Sequence, residues 1–236
     1  HLRPRRQRQM CIRDSPYAYI LPWGGIDDIR FLSEIYQHNI VARVSVEPFE
    51  IKKKRFDRGT IILTRKSNEN LGDRFDDIIK KAANKFNRPI TSVESGFVSK
   101  GKDFGSSSMR VIRKPKIGII SGNGVSSYSF GEVWHFFERQ IEFPVSVIGS
   151  DYFSGIPKHN FDVIILPSGN HSYINNELRE DLRIWVRSGG KLIIMDGAIN
   201  AFVDKKGFGL KKFATDEEKK KKEEKDKSMK MSERLN

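Results

Sequence analysis

The sequence predicts an α/β protein, with a mainly parallel sheet in its second half preceded by a smaller α/β unit. Two observations carry the prediction. Short β-rich runs alternate with stretches whose apolar residues recur at helical spacing. Glycine or proline punctuates the junctions between them.

Each element follows from its residues. Tyr17–Leu21 (YAYIL) reads as a strand closed by Pro22 and the Gly24–Gly25 turn. Residues 26–38 have helical spacing through Ile29, Leu32, Ile35 and Tyr36. Residues 40–46 alternate and are β-rich, and Thr60–Thr64 (TIILT) is a strand entered from a turn at Gly59. Phe75, Ile78, Ile79, Ala82 and Phe86 form one stripe of a second helix, which Pro89 ends before a short strand over 90–93. Residues 95–110 are rich in Gly, Ser and Lys and read as a connection between domains.

A new unit starts after Pro115. Lys116–Ser121 (KIGIIS) reads as a buried strand, followed by Gly122-Asn123-Gly124 and a helix over about 130–141. Ser129 and Glu132 there have the spacing of a capping box. Residues 145–148, Phe161–Leu166 (FDVIIL) and Lys191–Met195 (KLIIM) supply three further strands. Between the last two, residues 177–188 form a helix with Leu178, Leu182, Trp185 and Val186 inward, stopped at Gly189. This is a doubly wound, flavodoxin-like pattern, truncated because its later strands are missing.

Charge and composition narrow the function. The net charge is +13, but residues 1–15 carry +4 and residues 205–236 carry +5, so the body between them is close to balanced. No basic stripe interleaved with aromatics occurs in the body, so neither nucleic acid nor a membrane span is expected. Cys11 is the only cysteine, which excludes a disulfide framework and a cysteine-based zinc site. The opening RRQRQMCIRD resembles a translated sequencing-adaptor artefact, so residues 1–15 are read as a non-native leader. The organisation expected is that leader, a small unit over 16–110, a parallel-sheet domain over 111–215 and a Lys/Glu-rich solvated tail over 216–236.

Four constellations could carry chemistry. Gly122-Asn123-Gly124 lies between a strand and a helix, where glycine lets backbone approach a ligand and the helix N-terminus favours an anion. A plain tight turn is the favoured reading, since Ser127 stands where a dinucleotide fingerprint needs its third glycine. His135 and Glu138 have a zinc-ligand spacing, but His159 and His171 follow too closely for a distant third ligand, so metal is not expected. The Asp196-Gly197-Ala198 turn follows a strand, and where such an elbow could mount a nucleophile Ala198 offers a methyl group. Ser168-Gly169-Asn170-His171 also follows a strand; Ser168 with His171 as nucleophile and base is one reading, a simple turn the other. Strand C-terminal ends are where open α/β sheets bind ligands. The candidate binding residues are therefore Gly122, Asn123, Gly124, Ser168, Gly169, Asn170, Asp196 and Gly197, with no catalytic residue and no metal ligand.

Longer runs carry a resemblance. KPKIGIISGNGVSSYSFGEVWHFFE, FDVIILPSGNHSYIN and WVRSGGKLIIMDGAI resemble the glutamine amidotransferase-like domain on the C-terminal side of a group of bacterial zinc carboxypeptidases. AYILPWGGIDDIRFL and GTIILTRKSNENLGDRFDDIIKKAANKFN look like the segment joining that domain to the peptidase domain. The resemblance implies a class I amidotransferase-like fold lacking its cysteine. It also implies a parent hydrolase that removes C-terminal residues from peptides, with zinc in a domain before residue 16. The parent peptidase domain would then be the partner in the same chain. Export of the parent, a structural role and a peptide or carbohydrate ligand are further expectations.

Overall fold

In the computed structural model, residues 15–213 are described; the leader up to residue 14 and the whole charged tail lie outside them. They form two compact units, one of residues 15–117 with 131–146 and the other of residues 118–130 with 147–213.

The first unit holds β1 (Ala18–Leu21), α1 (Ile26–Gln37), β2 (Ala42–Ser45), β3 (Phe49–Ile51), β4 (Lys54–Phe56) and β5 (Ile61–Thr64). It continues with α2 (Arg74–Lys85), β6 (Thr91–Val93) and β7 (Met109–Ile112). Five strands pair in the order β6-β1-β5-β2-β7, each antiparallel to its neighbours. The expectation of a mainly parallel sheet does not hold here. β1 and β2 run the same way but leave a gap, and β5 returns into it to pair with both. The result is the split β-α-β-β-α-β arrangement of ferredoxin-like folds, with β7 added at one edge.

The β3–β4 hairpin and residues 95–108 were not expected to form a core, yet they do. Phe49 stacks on Phe56 at 5.1 Å and meets Phe104 edge-on at 5.6 Å. These rings pack with Ala18, Ile20, Ile62, Val93 and Met109. Burying one such ring stabilises by about 1.5–3 kcal/mol. The Gly/Ser/Lys-rich stretch is therefore not a mere connection: Phe104 fills the core and Met109 opens β7. In α1 the buried face is Asp28, Phe31, Ile35 and Tyr36 rather than one through Ile29 and Leu32. Asp28 is drawn in because its carboxylate accepts from the Gly24 and Gly25 amides, at 2.7 and 2.8 Å, and pairs with Arg88. On α2 Phe75, Ile79 and Ala82 are buried as the stripe predicted, with Phe75 against Tyr19. Residues 131–146 join this unit through polar anchors. Arg30 Nε donates to the Gln140 carbonyl, the Ser33 hydroxyl donates to that of Glu142, and Lys85 bridges the Glu34 and Glu142 carboxylates.

The second unit is built on β8 (Ile117–Ser121), β9 (Ser146–Gly149), β10 (Val163–Leu166) and β11 (Lys191–Ile194). The parallel sheet has the order β11-β10-β8-β9. Read from the β9 edge, that is second, first, third, fourth in chain order, as in a flavodoxin-like sheet, and it puts a topological switch point between β8 and β10. Helix α4 (Asn176–Arg187) buries Leu178, Leu182 and Trp185 against Ile120, Ile164 and Leu166. Val186, expected inward, is 40% exposed.

Helix α3 (Ser127–His135) begins earlier than the sequence suggested. Ser126 is its cap: its hydroxyl accepts from the Ser129 amide, and its carbonyl from the Phe130 amide. The expected capping box of Ser129 and Glu132 does not form, because the Ser129 hydroxyl is engaged elsewhere. Past His135 the helix widens into a π turn over Phe136–Gln140, closed by the Ile141 amide on the Phe136 carbonyl.

Candidate functional site

All four strands of the parallel sheet end in loops that bear polar groups, and these loops touch in sequence across the sheet edge. After β8 come Gly122 and Gly124, with φ of +97° and +77°. Such angles put the backbone in the left-handed region, which a side chain resists. A Cβ at Gly122 would stand 3.1 Å from the Ser150 Oγ, at the end of β9.

The next contact is tighter. Val125 and Gly169 form an antiparallel bridge, and a Cβ at Gly169 would lie 2.2 Å from the Gly124 carbonyl oxygen. The Ser126 amide donates to the Ser168 carbonyl at 2.8 Å, and the His171 amide to the Gly124 carbonyl at 3.1 Å. The Ser129 hydroxyl accepts from the Ser168 amide at 2.9 Å. The loop after β10 is thus laced to the start of α3 on both sides of Gly169. Beyond it, Gly197 lies against Ser168 and Gly169, so the loop after β11 completes the row. Of the expected residues, Asn123 and Asn170 are exposed at the loop tips, and Asn170 Oδ1 accepts from the Ser172 amide.

Two side-chain arrangements set the electrostatics. The Ser168 hydroxyl donates to Asp196 Oδ2 at 2.8 Å. That bond, helped by the Gly197 amide, holds the Asp196 carboxyl below its usual pKa. Asp196 is exposed, so it presents a fixed negative charge at the loop surface. His171 is 1% exposed, with Nε2 at 2.7 Å from the Pro167 carbonyl and Nδ1 at 2.6 Å from the Tyr173 hydroxyl. A carbonyl can only accept, so Nε2 carries the proton and Nδ1 takes the Tyr173 hydrogen. Burial lowers the His171 pKa, which keeps the ring neutral, and raises that of Tyr173.

The serine and histidine of the hydrolase reading are therefore not brought together. Ser168 is oriented on a carboxylate, and both His171 nitrogens are engaged in holding the loop. Ala198 is fully buried, packed with Leu166 and Phe202. His135 and Glu138 are both exposed, one closing α3 and the other in the π turn. Among the described residues no three His, Cys, Asp or Glu side chains converge as a metal would need.

Three participants escaped the sequence reading. Ser129 reads only as half of a capping box and Tyr173 shows no motif; each acts through a partner that only the folded loops supply. Ser150 is the third. It is 4% exposed, and its hydroxyl has no hydrogen-bond partner among the described residues. Buried polar atoms left in that condition are uncommon and need an explanation. Its only signal in sequence is a place just past a strand.

No helix among the described residues is long and apolar enough to cross a membrane. No protein-family model matches the chain, and no curated protein matches it. Among solved structures it is similar to a formyltetrahydrofolate deformylase from Burkholderia mallei ATCC 23344, at 13% sequence identity and a TM-score of 0.22. The alignment covers 75% of this chain and 57% of that one, less than two thirds of its length. A likeness that low in TM-score carries no argument about fold or function.

Proposed function

We propose that this chain is a non-catalytic accessory part of a zinc carboxypeptidase, and that its second unit binds a polar ligand at the ends of its four strands. The parentage rests on the resemblance of the long runs around the three loops. The zinc chemistry and the hydrolysis of C-terminal residues would belong to a peptidase domain that precedes these units, and the parent would be exported.

One observation carries the ligand-binding part: the row of loops at the switch point, ending in a buried Ser150 hydroxyl that no described residue satisfies. The groups on offer are hydroxyls (Ser150, Ser168), amides (Asn123, Asn170), glycine backbone and the Asp196 carboxylate. That set suits hydroxyl- and amide-bearing ligands, hence a carbohydrate or peptide. A carboxylate accepts strongly from sugar hydroxyls. His171 does not serve Ser168 as a base, because both its ring nitrogens are engaged within the loop.

The test is a thermal-shift screen of the 236-residue chain with oligosaccharides and short peptides, repeated on Asp196→Asn. A specific ligand raises the unfolding temperature. The shift is expected in the parent sequence and lost in the variant; a flat screen overturns the binding reading. Stoichiometric zinc together with carboxypeptidase turnover would overturn the non-catalytic reading. Esterase activity abolished by Ser168→Ala would replace it with the hydrolase alternative.

A further inference from the structure

A second site lies on α4. A cavity of about 650 Å³ is lined by Asn176, Arg179, Glu180 and Arg183 of the helix and by Lys205, Lys206 and Gly207 of the loop that follows β11. The helical residues are spaced i, i+3, i+4, i+7, so they share one face, opposite the buried stripe of Leu178, Leu182 and Trp185. The cavity shares no residue with the candidate site at the strand ends.

Its charge is lopsided. Four cations surround it and Glu180 is the one carboxylate in the lining. Both oxygens of that carboxylate accept from Arg183, so Glu180 is already engaged. Among the described residues neither Lys205 nor Lys206 forms an ion pair within 4.0 Å, though Lys206 feels the Glu180 charge. Cations gathered round a cleft repel one another, and that cost is relieved when a guest of opposite charge enters.

The arginines are also held in place. Arg179 donates from Nε to the Ala201 carbonyl at 2.8 Å and from Nη1 to Asn176 Oδ1 at 2.6 Å. These two bonds fix the guanidinium plane. Arg183 is fixed by its two-pronged grip on Glu180. The loop closes over its stem: Gly207 has φ +88°, and a Cβ there would lie 2.5 Å from Arg183 Cδ. Phe202 and Phe208, with rings 4.9 Å apart, brace that loop from within. A guest therefore meets donors already positioned, with less ordering left to be done on binding. The first half of α4 adds the positive end of its dipole on the same side.

We infer that this cavity binds a small oxyanion carrying two or more negative charges. Arginine forks match the oxygens of phosphate and carboxylate alike, and the two lysines add point charges on the facing wall.

The experiment is isothermal titration of the full chain with inorganic pyrophosphate, and separately with citrate, at low and physiological salt. Saturable one-to-one binding that weakens with salt is expected for at least one probe, and which probe binds separates phosphoryl from carboxyl recognition. Lys205→Glu with Lys206→Glu is expected to weaken binding by about tenfold or more, and Arg183→Gln likewise. A charge-matched control, Lys219→Glu with Lys220→Glu in the tail, is expected to stay within about twofold. Circular dichroism of each variant confirms folding, and Gly207→Ala, which displaces the Arg183 stem, gives an independent check. Absence of binding by both probes overturns the proposal. So does an equal loss in pocket and control variants, since binding would then be diffuse charge attraction.

Discussion

At Ser168 a single hydroxyl hydrogen couples two loops. Ser168→Ala removes the donor at 2.8 Å, so the Asp196 pKa is expected to rise toward the ordinary carboxylate value. A carboxyl NMR titration reads this directly; an unchanged titration would mean the bond is absent in solution. Because the folded pKa of Asp196 lies below the unfolded one, its contribution to stability is present above the unfolded pKa and is lost as pH falls through the folded value. His171 behaves in the same sense at higher pH. Its folded pKa is lowered by burial, so below the unfolded value of about 6.5 the unfolded chain takes up the proton first. Stability is expected to fall as pH drops through that range, and His171→Asn to flatten the slope of unfolding temperature against pH. His171→Ala should cost about 2–4 kcal/mol in urea unfolding, since it strands the Pro167 carbonyl and the Tyr173 hydroxyl; asparagine, which tolerates the φ of +46° here, should cost less. The eight candidate residues were legible as a set because glycines, asparagines, a serine and an aspartate follow apolar runs. Ser150 and Tyr173 were not, because nothing local marks them, and Ser129 carried only the spacing of a helix cap.

For the elements, the loops after β8 and β10 depend on one close approach. Gly169→Ala would place a methyl group 2.2 Å from the Gly124 carbonyl, so the Val125–Gly169 bridge must open. A loss of about 1–3 kcal/mol is expected, together with weakened ligand binding at the strand ends. Gly131 is the opposite case. It sits inside α3 with nothing within 4 Å of a Cβ, so Gly131→Ala is expected to stabilise by about 0.5–1 kcal/mol. Urea denaturation of the two variants should move in opposite directions. Helix periodicity was readable in α2 and α4, where Phe75, Ile79, Leu178 and Leu182 keep the stripe. It misled in α1, because the Gly24–Gly25 cap draws Asp28 inside and turns the face toward Phe31. The short β3 and β4 were missed since three-residue strands carry no measurable alternation.

Over the whole molecule, each unit has its own core, and each can be tested separately. Phe75→Ala is expected to cost about 3–5 kcal/mol and Leu182→Ala about 2–5, because both side chains are fully buried. Denaturant unfolding checks both; losses under 1 kcal/mol would mean these cores are not packed as described. By itself the amino-acid order determined that the chain is α/β, where its longer strands and helices lie, and that the glycine-bearing turns follow strands. Those properties are local: periodicity, turn chemistry and capping act over a few residues. Only the tertiary structure decided which strands are neighbours. β5 slots between β1 and β2 and makes the first sheet antiparallel, while β8 and β10 lie side by side and set the switch point. Pairing is decided by long-range burial and by hydrogen bonds between segments far apart in sequence, and the same packing left Ser150 buried without a partner among the described residues and Ser168 facing Asp196.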